Sequence, residues 1–149
     1  MDIRSKAPYP AGDLTNFAAY VFSVDDVDCA SMEGFLQSLK KSDISEQADV
    51  CQLVGGKAKL WGVKHGNQWK ETQTLWWKGV AYSREGEEYQ ELLDRAYQEL
   101  FKNPKFQEAL RATGTEVLTH SIGNPDIKDT VLTEFELCSR LMNLRNELS

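Results

Sequence analysis

The chain has 149 residues, 41% of them hydrophobic and 27% charged, with a net charge of −6. That length suits one domain over residues 1–149 with its own core. No apolar run approaches the length that crosses a bilayer, and the acidic balance argues against general nucleic-acid binding, which needs a basic surface.

The N-terminus, MDIRSKAPYPAGD, lacks a basic-then-apolar leader pattern, so a cytoplasmic protein without a membrane partner is expected. Cys29, Cys51 and Cys138 are widely spaced, and the only histidines are His65 and His120. With no CxxC and no HExxH, neither a disulfide framework nor a metal site is suggested, and no cofactor is expected. NFAAYVFSV (16–24) reads as a strand, rich in aromatic and β-branched residues. DDVD is turn chemistry leading to a short second strand. Ser31 is a candidate N-cap for a helix over SMEGFLQSLK (31–40). DISEQADVCQLVGG predicts a second helix, from a cap at Ser42 or Asp43 to Gly55 and Gly56.

Residues 57–80 are ambiguous. HGN is a turn, flanked either by a hairpin or by a strand and a helix. Between 55 and 79 stand Lys57, Lys59, Lys64, Lys70 and Lys78 against Glu71 alone, together with all four tryptophans, Trp61, Trp69, Trp76 and Trp77. Such a segment suits gripping one phosphate and stacking one base; the plainer alternative is core tryptophans with a solvated lysine rim. Tyr89, Leu92, Leu93, Ala96, Tyr97, Leu100 and Phe101 follow helical spacing. NPKFQEALRATG has Asn103 as cap, Pro104 at the first helical position and Gly114 as stop. TEVLTH is compatible with a strand, and IGNPD is a loop. A long helix is expected from about Asp129 to Leu148, with Val131, Phe135, Cys138, Leu141 and Met142 on one side. The class is therefore α+β, mainly helical with a small sheet.

On a helix over 31–40, with Glu33 at zero, Gln37 falls near +40° and Lys40 near −20°, at about 100° per residue. Met32, Phe35, Leu36 and Leu39 form the neighbouring apolar stripe. The polar line thus borders the buried face and is placed to line a cleft. Gly34 falls farther round, near about +100°, towards the cleft mouth or solvent. The plain alternative is dipole matching, with a glutamate in the first turn and a lysine in the last.

GDLTNFAAYVFSVDDVDCASMEGFLQSLK resembles the opening signature of the NADAR, or YbiA-like, N-glycosidase family, G-D-[LF]-S-N-F followed by S-x-E-H-x-x-Q-x-x-K. Gly12, Asp13, Asn16, Phe17, Ser31, Glu33, Gln37 and Lys40 carry the match. ELFKNPKFQEALRATGTEVL and LMNLRNEL resemble two later family stretches, whereas 57–82 has no clear counterpart and reads as a divergent or inserted segment. The resemblance implies a YbiA-like α+β fold, a nucleotide or ADP-ribosyl ligand, and hydrolysis of a ribose–base N-glycosidic bond. It implies Glu33 and Lys40 as catalytic groups, with Asn16, Phe17, Gln37 and Lys57 on the ligand; the tryptophan–lysine segment adds Trp61 as a ligand candidate. Departures from the pattern are equally specific. The histidine position is Gly34, read as a vacancy; the W-G-x-G loop is replaced by SIGNPDIKDTVL; and Phe135 and Cys138 stand where an asparagine and a glycine would help close the site. Those departures fit a hydrolase reshaped for another substrate, or a module that binds a nucleotide or a protein partner without turnover.

Overall fold

The computed structural model describes residues 1–148. After a short 3-10 turn at Ala11–Leu14, the elements run β1 (Phe22–Val24), β2 (Val27–Cys29), α1 (Met32–Ser38), α2 (Ile44–Cys51), α3 (Gly55–His65), α4 (Trp69–Thr72), β3 (Thr74–Trp77), β4 (Val80–Ser83), α5 (Glu87–Phe101), α6 (Pro104–Ala112) and α7 (Glu134–Asn146). β1–β2 and β3–β4 are two separate antiparallel hairpins. The fold is thus mostly helical with two small sheets, the class that the sequence suggests.

Buried side chains from both hairpins, α1 and α4–α7 share one hydrophobic core, centred on Phe35, Leu36, Leu39, Leu75, Leu92, Leu93, Phe106 and Leu141. α5 follows the expected spacing, with Tyr89, Leu92, Leu93, Ala96, Tyr97 and Leu100 buried. α6 follows its signals too: the Asn103 side chain caps it, Pro104 opens it and Gly114 leaves it at φ +64°.

Several elements differ from the sequence reading, each for a local reason. The first strand shrinks to Phe22–Val24, because the backbone before it turns on itself (Ala18 N to Thr15 O, Tyr20 N to Ala18 O) and gives Asn16 O to the Glu33 amide. α2 is capped by Asp43 and stops at Cys51; Gly55, at φ +55°, opens a new helix instead of closing that one. The HGN turn is flanked by helix on both sides, so neither alternative drawn for 57–80 holds. The hairpin lies later, around a two-residue turn at Lys78–Gly79 with both residues at positive φ. TEVLTH contributes a single parallel bridge, Asp2 with Thr119.

The final helix starts at Glu134, not near 129. Thr133 and Glu136 form a reciprocal capping box, and the preceding residues stay non-helical because buried side chains claim their carbonyls. Arg84 Nε donates to Thr130 O at 2.8 Å, and Tyr89 Oη donates to Val131 O at 2.6 Å. With the helix starting later, its buried side is Glu136, Leu137, Cys138, Leu141 and Leu144, and Phe135 is 79% exposed.

Arg84 is fully buried and forms a bidentate pair with Glu136, at 3.0 and 2.6 Å. Burial works against the Glu136 charge, but donors from Arg84, Gln90 and Thr133 outweigh it and hold this carboxyl below its ordinary pKa. Arg84, just past β4, thus ties the end of that hairpin to the chain before α7 and to the first turn of α7.

Candidate active site

α1 is placed by its cap. Ser31 Oγ accepts from the Gly34 amide at 3.0 Å and donates to Leu53 O at 2.8 Å, which ties the helix start to the chain leaving α2. The Glu33 amide donates to Asn16 O at 2.9 Å, bringing the Asn16 loop alongside the Glu33 turn. Asn16 Oδ1 accepts from Tyr97 Oη at 2.7 Å, leaving its amide N–H groups for other acceptors.

Gly34 is not a vacancy facing solvent. It is buried, and a Cβ there would stand 2.6 Å from Leu53 O and 3.0 Å from both Val50 O and Cys51 O. These are backbone oxygens at the carbonyl end of α2, so they cannot swing aside. Only glycine lets α1 approach that end, and a histidine at this position is sterically excluded.

The polar line of α1 opens into a cavity of about 570 Å³. Asn16, Phe17, Glu33, Gln37 and Lys40 all line it, with Lys59, Gly62 and Val63 of α3, Trp69 and Lys70 of α4, and His120, Ile122 to Asn124 and Asp129 to Leu132 from the long loop before α7. Two residues proposed for the ligand lie elsewhere. Lys57 is exposed at the start of α3 and does not line this cavity. Trp61 lines a separate depression between α2 and α3, its ring 5.7 Å from His65. At helical spacing both sit on other faces of α3, so Lys59 and Lys70 supply the cations and Trp69 the indole. Trp77 is core, with its indole N–H donating to Asp25 at 2.9 Å. Phe135 and Cys138 do not wall the cavity either, because the helix that carries them starts beyond its lining.

α3 stands outside the main core and meets α1 through glycines. A Cβ on Gly62 would lie 1.8 Å from Gln37 Oε1 and 3.2 Å from Lys40 Nζ; one on Gly66 would lie 2.6 Å from Lys40 Cδ. The Lys40 stem therefore runs beneath α3 from Gly66 to Gly62, and its ammonium ends beside the Gln37 amide. Gln37 Nε2 donates to Glu33 Oε1 at 2.9 Å, while Gln37 Oε1 and Trp69 Nε1, both buried, have no hydrogen-bond partner among the described residues.

Packing under α3 decides the protonation chemistry. Burial pushes the Glu33 carboxyl above its ordinary pKa, against the opposing effects of Gln37, Lys59, Lys40 and His120. Burial also lowers Lys40 to about 8, helped by Lys70 and Lys59 and resisted by Glu33. The cavity thus holds a carboxyl and an amine whose charged forms are both less favoured than those of exposed counterparts. His120, which has no role in the sequence reading, joins them. Gly123 hints at it, since a Cβ there would press on the imidazole, 2.5 Å from Cδ2.

Comparisons with known proteins set this site in context. Residues 8–146 match the bacteriophage protein GP30.3 family. The chain belongs to that family. It is 36% identical over 150 residues to the "uncharacterized 17.1 kDa protein in Gp30-rIII intergenic region" of Enterobacteria phage T4, covering 99% of this chain and 98% of that one. Among solved structures, the NMR structure of the E. coli protein YbiA superposes with a TM-score of 0.63 at 17% identity, over 93% of this chain and 79% of YbiA. This GP30.3-family chain has the YbiA-like fold that the opening motif suggests. Among the described residues, no helix is long and apolar enough to cross a membrane.

Proposed function

We propose that the chain hydrolyses an N-glycosidic bond between ribose C1 and a nitrogen base, on a substrate carrying phosphate such as an ADP-ribosylated nucleobase or a ribosyl phosphate. One observation carries the reading: Glu33, Gln37 and Lys40 converge in a single cavity where burial brings the carboxyl and the amine towards neutral forms. The chemistry needs that pair. As the base leaves with the C1–N electron pair, positive charge develops at C1, and a carboxylate held in a poorly solvated wall stabilises it. Water then adds to C1 and gives a proton to Glu33, while the base nitrogen gains one proton. In the alternative route the neutral Lys40 Nζ, rather than water, takes C1 as the base leaves; cleavage of the C1–O ring bond, with an Nζ proton passing to the ring oxygen, then leaves an imine that water hydrolyses. In its ammonium form Lys40 is a counter-charge for phosphate. Lys59 and Lys70 at the rim suit a phosphate as well, and the amide N–H groups of Asn16 suit a ribose hydroxyl.

The test is a panel of ADP-ribosylated guanine nucleotides and ribosylated base phosphates, with released base measured by chromatography. Glu33→Gln should lower turnover by about 100-fold or more, and borohydride should trap a sugar adduct on the wild-type chain but not on Lys40→Ala. An intact panel, with no difference between wild type and either variant, would refute the proposal. Saturable binding of ADP-ribose without turnover would reduce the activity to nucleotide recognition.

A further inference from the structure

The hydrolase reading leaves the proton donor to the departing base unassigned. Resting on that reading, we propose that His120 is the donor, acting through Nε2. The imidazole lines the same cavity as Glu33 and Lys40. Its Nδ1 lies 2.6 Å from Ile3 O, and a carbonyl only accepts, so Nδ1 carries a hydrogen in either charge state. Nε2 is therefore the nitrogen that gains and loses a proton. It has no partner among the described residues.

The ring is also held unusually firmly for a loop residue. Its own amide donates to Glu134 Oε2 at 2.6 Å. Asp2 clamps both neighbours, accepting from Ser121 N at 2.8 Å, Ser121 Oγ at 2.6 Å and Thr119 Oγ1 at 3.0 Å. The close approach of Gly123 closes the remaining side. A fixed tautomer, a tied backbone and one unpartnered nitrogen on a residue that lines the cavity are the conditions that general acid catalysis sets. The other histidine, His65, lines the separate depression and cannot take this part.

In the step, the C1–N bond breaks and its electron pair stays on the base nitrogen. That nitrogen takes the Nε2 proton of the imidazolium, leaving neutral His120. Water forms the new C1–O bond and yields its proton to Glu33. Loss of that proton to solvent, and uptake of one at Nε2, restores the site. The net change is one water consumed, one C1–OH and one base N–H formed.

The leaving group makes the role testable. A ribosylated guanine needs a proton to leave well, whereas the pyridinium of nicotinamide mononucleotide leaves as a neutral base without one. His120→Asn retains a donor for Ile3 O and removes Nε2. It should slow release of guanine by about 100-fold and of nicotinamide by less than about threefold. In His120→Ala, added imidazole should restore guanine release in proportion to its concentration, which decides the matter if the wild type does not take the pyridinium substrate. Equal loss on both substrates, or a guanine rate that imidazole does not restore, would assign His120 a purely structural part and overturn the inference. An unchanged rate in His120→Asn would also overturn it while the hydrolase reading stands. A wild-type chain that cleaves no member of the panel would remove the hydrolase reading, and this inference with it.

Discussion

Replacing Lys40 by methionine should make the protein more stable, because an ammonium is held there at a cost. A lysine brought from its ordinary 10.5 to about 8 has its protonated form disfavoured by about 3 kcal/mol at neutral pH. Methionine keeps an unbranched stem for the groove beneath Gly62 and Gly66 and removes the charge, so the gain should approach, without exceeding, about 3 kcal/mol. The sign follows from linkage. Above about pH 8 the folded chain has released the Lys40 proton, whereas the unfolded chain holds its own up to about 10.5. Wild-type stability from this group therefore rises with pH across that window, and the advantage of Lys40→Met should shrink towards zero by its upper end. In a Glu33→Gln background the neutral-pH gain should be larger, since the carboxylate that favours the ammonium is gone. Urea denaturation of both chains at a series of pH values measures this, with differences between variants cancelling the titration of other groups. No gain at pH 7, or a gain that does not change up to pH 10, would refute the reasoning.

Gly34→Ala should lower stability by about 1–3 kcal/mol, as overpacking against fixed backbone does, read by denaturant unfolding; Gly34→His should fold worse still. Arg84→Met should cost about 3–5 kcal/mol by leaving the Glu136 carboxylate buried and unpaired, and Arg84→Met with Glu136→Leu should recover much of that loss. Because Glu136 is held below its ordinary pKa, its contribution is present above the unfolded value near about 4.3 and is lost as pH falls through the lower folded one; an acid-unfolding midpoint should therefore move up in Arg84→Met. Gly62→Ala drives a methyl into the buried Gln37 amide and towards the Lys40 ammonium, so calorimetry should find weakened ADP-ribose binding, and denaturant unfolding a loss of about 1–3 kcal/mol.

The readable parts of this chain are those whose signals are local. Asn103-Pro104, the Tyr89 to Leu100 stripe and the Ser31 cap each act within a few residues, and each appears as expected. The pair Glu33 and Gln37 is legible for the same reason, since helical geometry sets it beside the apolar stripe, and Lys40 continues that line from the turn just past the end of α1. What escapes a sequence reading is decided by contacts distant along the chain. Gly34 is forced by carbonyls of α2, and Gly62 and Gly66 by side chains of α1. The late start of α7 depends on Arg84 and Tyr89 taking the Thr130 and Val131 carbonyls. Thr133-x-x-Glu136 does mark that start locally, and the apolar residues before it mask the signal. Lys59 rather than Lys57 reaches the cavity because α3 packs through its glycine face, which composition cannot reveal.

The partner of the His120 ring stands 117 residues earlier, at Ile3. Contacts of such separation close late, because the chain must first give up the freedom of the whole intervening loop. Helices α1, α2 and α3 are neighbours along the chain and can assemble first, packing Lys40 beneath α3 before that closure. The imidazole should therefore be seated after the helices that carry Glu33 and Lys40 have formed. In a refolding experiment, recovery of the fully furnished cavity would lag helix formation, and ligand capture would report the last contact made instead of the first.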